Sequence, residues 1–410
     1  MRKLALVASL ALPLFGGAAT AQETVKIGYI DPLSGGGASI GEVGLKTFQF
    51  IADDLNAKGG ILGKKVEIVP LDSKTNPQES LIQAQKAIDG GVRYLTQGNG
   101  SAVAGALVDF VTKYNDRNPG KEVLYFNYAA VDPVLTNEKC SYWHFRWDAN
   151  SDIKMEALTN YMKDTPAIKK VYLINQDYSF GQSVRTQARA MLAKKRPDIQ
   201  IVGDELHPLL KITDFAPYVA KIKASGADSV ISGNWGQDIA LLLKAAADAG
   251  LKVNWYTYYA GGTGGPTAIK QANLNHQVFQ IVEGIPNLGH PESDVFEKAI
   301  RAKYDFSLLY PRAVNEMRMF AAAAEKAKSL DPVKVAAALE GMEFDVFDGG
   351  KGVMRKDDHQ FFQPMYIASF GERNDKEPFD EEKTGWGWRS VAKIDTPQTM
   401  LPTTCKMERP

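Results

Sequence analysis

The sequence predicts an α/β fold of two lobes, each built on a mainly parallel β-sheet. Three observations carry that expectation. First, Val25–Ile30 is apolar enough for a buried strand. It runs through Asp31, Pro32 and a glycine-rich loop to Gly41, and an amphipathic helix follows from Glu42, with Phe48, Ile51, Ala52 and Leu55 on one face. Second, this strand–loop–helix unit recurs in two blocks, the pattern of parallel sheets with helical crossovers. Third, 410 residues exceed one ordinary core, so two domains are expected.

The elements follow in order. Asn56–Gly60 stops the first helix, and Lys65–Leu71 is the second strand. Asn76-Pro77-Gln78-Glu79 supplies a helix cap, a proline at the first turn and a glutamate at the third position, for a helix to about Asp89. Val92–Thr96 and Val123–Asn127 are strands, with a helix from Ala102 to Tyr114 between them. The second block alternates helix Asp152–Met162, strand Lys170–Ile174, a helix to about Lys194, strand Ile199–Leu206 and helix Asp214–Ala224. Strand Asp228–Ile231, a helix carrying Ile239, Leu242, Leu243 and Ala246, and strands Val253–Tyr258 and Val278–Ile281 complete it. Helices at Asp294–Tyr304, Arg312–Ala327 and Val333–Leu339 then suggest a return to the first lobe, and short strands at Gly350–Met354 and Met365–Phe370 follow.

Composition narrows the function. Apolar residues make up 44% and charged residues 23%, which is globular. The net charge is zero with no basic block, which argues against nucleic acid or an anionic membrane surface as partner. Arg2 and Lys3 precede an apolar run from Leu4 to Phe15 and then Ala19-Thr20-Ala21, so residues 1–21 read as a cleaved export signal. That run is too short to span a bilayer, and no cysteine follows the cleavage point to carry a lipid. In an oxidising compartment the two cysteines, Cys140 and Cys405, are expected to pair and to pin the C-terminal tail near the end of the first lobe.

Signatures of catalysis are missing. There is no phosphate-binding G-x-x-x-x-G-K-[ST], no G-x-G-x-x-G, no H-E-x-x-H and no G-x-S-x-G, and the histidines at 144, 207, 276, 290 and 359 are scattered. No enzyme activity, cofactor or metal is expected. What stands out are loops at strand ends, where open α/β sheets bind ligands. Asn99-Gly100-Ser101 opens a helix, whose free N–H groups favour an anion. Ser101 either caps that helix or offers its hydroxyl to a ligand carboxylate. Tyr128-Ala129-Ala130 sits beside it and can add backbone donors. From the second block Tyr178, Phe180, Trp235, Tyr258 and Tyr259 fall at strand ends, as walls for an apolar ligand.

Taken in order, several pieces resemble a known family: Lys26–Gly35, Asn56–Gly63, Ala129–Thr136, Asp177–Gly181, and Ile212–Phe215 through Gly226–Asp228. The chain is similar to the periplasmic solute-binding proteins of branched-chain (hydrophobic) amino acid type ABC transporters. The resemblance implies a type I periplasmic binding protein: two Rossmann-like lobes with parallel sheets, joined by three hinge crossovers and closing on a ligand. It places the crossovers near Tyr142–Arg146, Val282–Ile285 and Met354–Asp358. It divides the chain into an N-terminal lobe (22–143 plus 284–355), a C-terminal lobe (144–283 plus 356–400) and a tail (401–410).

The same resemblance implies a periplasmic monomer that binds a small molecule and serves a membrane permease. Relatives that bind leucine hold its carboxylate with a serine and the next loop, matched here by Ser101 and Ala129–Ala130; Val131 stands where relatives often carry a hydroxyl. Ile40 joins the expected ligand-binding set. Relatives hold the ammonium with an acid after the last strand of the second lobe, where this chain has Tyr258-Tyr259-Ala260-Gly261. A buried ammonium without a partner costs several kcal/mol, so the expected ligand is a hydrophobic or aromatic carboxylate lacking an α-ammonium. Asp177 or Asp238 reaching in would instead allow leucine, isoleucine or valine. An exported sensing module and an exported α/β enzyme are the alternatives from other classes.

Overall fold

A computed structural model describes residues 24–410; the expected export signal lies outside the described residues. The first sheet contains β1 (Val25–Asp31), β2 (Val66–Asp72), β3 (Tyr94–Gln97), β4 (Leu124–Asn127) and β5 (His144–Arg146), all parallel in the order β2-β1-β3-β4-β5. Helices α1 (Ala38–Ala57), α2 (Pro77–Asp89) and α3 (Ser101–Arg117) make its crossovers. Strands β3 and β4 are buried along their whole length, because helices cover both faces of a parallel sheet.

The second block begins with α4 (Ser151–Lys163) and alternates β6 (Lys170–Gln176), α5 (Ser179–Lys195), β7 (Gln200–His207), α6 (Ala216–Ser225), β8 (Ser229–Ser232), α7 (Gln237–Asp248), β9 (Asn254–Thr257), α8 (Gly265–Gln271) and β10 (Val278–Val282). The chain then returns to the first core with α9 (Pro291–Tyr304), α10 (Pro311–Ala327) and α11 (Pro332–Leu339), whose Phe296, Ile300, Met317, Phe320 and Leu339 pack with β1, β3 and β4. A small antiparallel sheet of β11 (Glu343–Asp345), β12 (Lys351–Met354) and β13 (Phe361–Phe362) leads back. Finally β14 (Met365–Glu372) and β15 (Trp386–Ile394) join the second sheet, ordered β15-β14-β10-β9-β8-β6-β7. Strand β14 runs antiparallel to β10, and β15 antiparallel to β14.

Four expectations differ from this. The first helix starts at Ala38, four residues early, because Gly41 belongs inside it: a Cβ there would meet the Pro32 carbonyl oxygen at 1.7 Å. The glycine serves a close approach rather than a loop. His144–Arg146 is a strand of the first sheet, so the expected lobe boundary at 143/144 falls just before β5, and the chain crosses only between Arg146 and Ser151. The glycine run after Tyr259 ends in the short helix α8, and β15 was not foreseen; it is the sheet's edge strand, with charged Arg389 and Lys393 breaking its apolar pattern.

The tail recrosses. Cys405 forms a disulfide with Cys140, with 5.7 Å between Cα atoms. Leu401 packs against the second lobe and Met407 against the first. The tail thus adds a fourth link between lobes, closed by sulfur. Among the described residues, no helix is long and apolar enough to cross a membrane.

Candidate ligand-binding site

The carboxyl ends of both parallel sheets face a common cleft, the usual site in open α/β folds. A cavity of ≈ 90 Å³ lies there. One water needs about 10–15 Å³ of such space, so the cleft has room for a small molecule rather than a lone water. Of the residues expected to bind ligand, Ile40, Asn99, Gly100, Ser101, Ala129, Ala130, Tyr178, Phe180, Trp235, Tyr258 and Tyr259 line it.

Tyr128 does not. It is fully buried beneath the wall, where its hydroxyl donates to Asp31 Oδ2 at 2.6 Å and its carbonyl accepts from Arg312 Nε. Gly98 lets this ring pack close, since a Cβ at 98 would lie 2.7 Å from it. Burial pushes the Asp31 carboxyl up to about 6, against hydrogen bonds from Tyr128 and the Asn99 N–H that hold it down. A contact between β1 and the loop after β4 therefore turns an expected wall residue into a support.

On the first-lobe side, Gly100 is the N-cap of α3 and carries no capping side chain. Ser101 is thus the first helical residue rather than the cap. Its hydroxyl oxygen accepts from the Asp132 N–H at 3.3 Å, which leaves its proton to donate. The first-turn N–H groups lack intrahelical partners, and the dipole favours an anion. The expected donors at Ala129 and Ala130 are already engaged: both N–H groups bond Asn127 Oδ1, at 3.2 and 2.7 Å. Val131, outside the expected set, lines the cavity beside them.

The second-lobe side is aromatic. Phe180 stands edge-on to Tyr178 and Tyr258, with ring centroids 5.8 and 5.7 Å apart, the arrangement aromatic quadrupoles prefer. Tyr178 accepts the Trp235 Nε1–H at 2.7 Å, so its own hydroxyl proton remains to donate. Tyr258 donates to the Ser151 carbonyl at 2.8 Å, and Tyr259 to Asp148 Oδ2 at 3.2 Å. Those two contribute rings rather than hydroxyls.

Neither acid suggested by the sequence reaches the cavity. Asp177 is exposed and bonds Gln182, while Asp238 is buried under Gln176 and the Leu210 N–H. Charge arrives from elsewhere. Lys154 on α4, Glu283 just after β10 and Arg312 on α10 line the cavity. Lys154 Nζ lies 2.7 Å from Asp148 Oδ1 and 3.6 Å from Glu283 Oε2. Arg312 pairs with Glu283, and its Nε lies 3.4 Å from Asp148 Oδ2. Two cations and two carboxylates leave no net charge. Burial is the largest influence on both acids and pushes them up. At Glu283, Arg312 and Lys154 together outweigh it and hold the carboxyl below its ordinary range; Asp148 stays raised. Sequence reasoning missed these residues because charges on a helix or after a strand ordinarily face water; the hint was Lys154 amid the apolar Ile153, Met155, Ala157 and Leu158. Among the described residues no group of His, Cys, Asp and Glu is arranged to hold a metal ion.

Two lobes enclosing a cavity of this size, with an anion-seeking helix end facing aromatic rings, define a ligand-capturing protein. Comparison with known proteins agrees. The family model described as periplasmic binding protein matches residues 24–376. The "Leu/Ile/Val-binding protein homolog 4" of Brucella abortus (strain 2308) is 33% identical over 98% of this chain and 97% of that protein. A closed structure of a leucine-, isoleucine-, valine-, threonine- and alanine-binding protein from Brucella ovis is 31% identical, with a TM-score of 0.84 over 95% of this chain and 100% of that one. An ABC-transporter solute binding protein from R. palustris, solved with benzoate, shares the fold at 18% identity and a TM-score of 0.77, over 94% and 100% of the two chains. The chain belongs to the periplasmic binding protein family, a family of substrate-binding transport proteins.

Proposed function

We propose that the protein is the exported, monomeric binding component of an ABC importer, and that it closes on a small hydrophobic or aromatic carboxylate and presents it to a membrane permease. The observation that carries the ligand assignment is the uncapped start of α3 at Ser101, opposite the Tyr178–Phe180–Trp235 wall. The carboxylate lies on the Ser101 hydroxyl and the first-turn N–H groups, and the apolar body lies on the rings. The buried charges favour an acid without an α-ammonium. Lys154 and Arg312 already engage both Asp148 and Glu283, so an α-ammonium finds a carboxylate partner only by breaking one of these buried ion pairs.

One observation favours a second reading, a branched-chain amino acid. Glu283 lines the cavity, and two relatives above 30% identity carry leucine, isoleucine and valine in their names. An ammonium taking Glu283 from Lys154 would complete that site.

The deciding experiment is a thermal-shift screen of benzoate, cinnamate, 4-methylpentanoate, leucine and valine. A ligand at a hundredfold its Kd adds about 2.7 kcal/mol of stability. Acids that raise the melt where leucine does not support the first reading; the reverse result supports the second. In either case Ser101→Ala should weaken binding by roughly tenfold or more, the loss of one hydrogen bond to a charged group.

A further inference from the structure

The loop between β14 and β15, residues 373–385, holds both lobes at once. On its own lobe, Glu382 accepts from the Gly264 N–H at 2.5 Å and the Thr267 N–H at 2.9 Å, at the start of α8. Its neighbour Glu381 turns to the first lobe. The Glu381 carboxylate accepts from the Ser307 hydroxyl and lies 3.6 Å from Arg301 Nη2, on α9. Arg301 also donates to the Asp380 carbonyl at 2.6 Å, and its guanidinium sits 5.5 Å from the centre of the Phe379 ring. Lys383 pairs with Asp305 at 2.6 Å, just past the end of α9. Glu381 lines the cavity, so this bridge forms part of the ligand's enclosure.

We propose that residues 373–385 form a latch: the loop travels with the second lobe, grips Arg301 when the lobes close, and so sets how long a captured ligand stays. The inference rests on the reading that the cleft closes on a ligand. Its geometry has a simple logic. The sheet that carries the loop holds the second-lobe wall, whereas Arg301 is fixed to the first lobe through its pair with Glu297, whose other oxygen accepts from the Leu308 N–H at 3.0 Å. Opening the lobes must break the loop's contacts to Arg301 while leaving the Arg301–Glu297 pair and the contacts of Glu382 intact. Arg301 is a positioning residue here and touches no ligand.

The test is the closed fraction, read by single-molecule fluorescence transfer. Both native cysteines are in the disulfide, so labels can be placed through Ile82→Cys on α2 and Val391→Cys on β15, both exposed. Benzoate and leucine serve as probes. The expected result is that Arg301→Gln lowers the closed fraction threefold or more, with and without probe, and speeds probe release by a similar factor. Arg301→Lys, which keeps a cation beside the buried Glu297 and Glu381 carboxylates, should restore part of it and hold the melting temperature nearer the parent's than Arg301→Gln does. A closed fraction unchanged by Arg301→Gln, or absent in the parent, overturns the latch. If neither probe raises the closed fraction of the parent, the ligand reading falls instead, while the unliganded comparison still decides the latch.

Discussion

Two clusters of opposite charge join the lobes, and they differ mainly in their access to water. At the crossovers, Lys154, Asp148, Glu283 and Arg312 are each at most 4% exposed. At the β14–β15 loop burial is graded: the Glu297 and Glu381 carboxylates are 2% and 5% exposed, the Arg301 side chain 24%, and the Lys383–Asp305 pair 76% and 72%. The residue types are the same; the energetics are not. A pair in water contributes little, because solvent screens it and two long side chains lose freedom. A buried cluster adds little net stability when whole, yet removing one member strands a charge in a medium that cannot solvate it. The fully buried cluster therefore suits the fixed axis of the cleft, and the wetter Arg301 and Lys383 cations suit contacts that must break at each opening.

Substitutions sharpen that contrast. Arg312→Met leaves Glu283 and Asp148 with Lys154 alone and should destabilise by about 3–5 kcal/mol in urea titration. A loss under 1 kcal/mol would mean that water reaches the cluster and that the contrast fails. The tail provides a covalent counterpart beside the crossovers. Cys140→Ser with Cys405→Ser should cost about 2–5 kcal/mol, since the bond closes a loop of 265 residues in sequence. The same cost in a reducing agent for the parent, and none for the variant, would assign it to the disulfide.

Burial without a cation makes a third, pH-dependent case. Glu316, fully buried on α10 and accepting from Thr96 Oγ1 at 2.7 Å, has its carboxyl pushed up to about 8 by burial. A raised value means that the folded state holds the proton longer than the unfolded state. Its contribution is whole below the ordinary glutamate range and is lost as pH rises through about 8. The melting temperature should therefore fall by roughly a few degrees between pH 6.5 and 8.5. Glu381 and Asp348, also raised to about 8 by burial, add to the slope, so Glu316→Gln should flatten part of it. A variant slope equal to the parent's would show Glu316 ionised in the folded state. The smallest effect belongs to the most exposed pair: Lys383→Ala should change stability by no more than about 0.5 kcal/mol, less still in high salt.

The sequence made the aromatic wall legible for a topological reason. Tyr178, Phe180, Trp235, Tyr258 and Tyr259 follow the carboxyl ends of strands, and parallel strands bring all such ends to one edge. The charged cluster was illegible for the complementary reason. Lys154, Glu283 and Arg312 come from a helix, a crossover and a third element 158 residues beyond the first. Each alone has the pattern of a solvated side chain, and only their meeting removes the water.

Local chemistry thus determined the alternation of elements, the start of α2 at Asn76-Pro77 and the anion-seeking start of α3, because period, caps and chain reversals act within a few residues. Tertiary structure decided which polar groups stay free for a ligand. It drew Tyr128 beneath the wall to Asp31, occupied the Ala129 and Ala130 N–H groups with Asn127, and folded the β14–β15 loop across to Arg301. Desolvation and hydrogen-bond satisfaction depend on every neighbour in space, and the neighbours of a buried group are set by the packing of the whole chain.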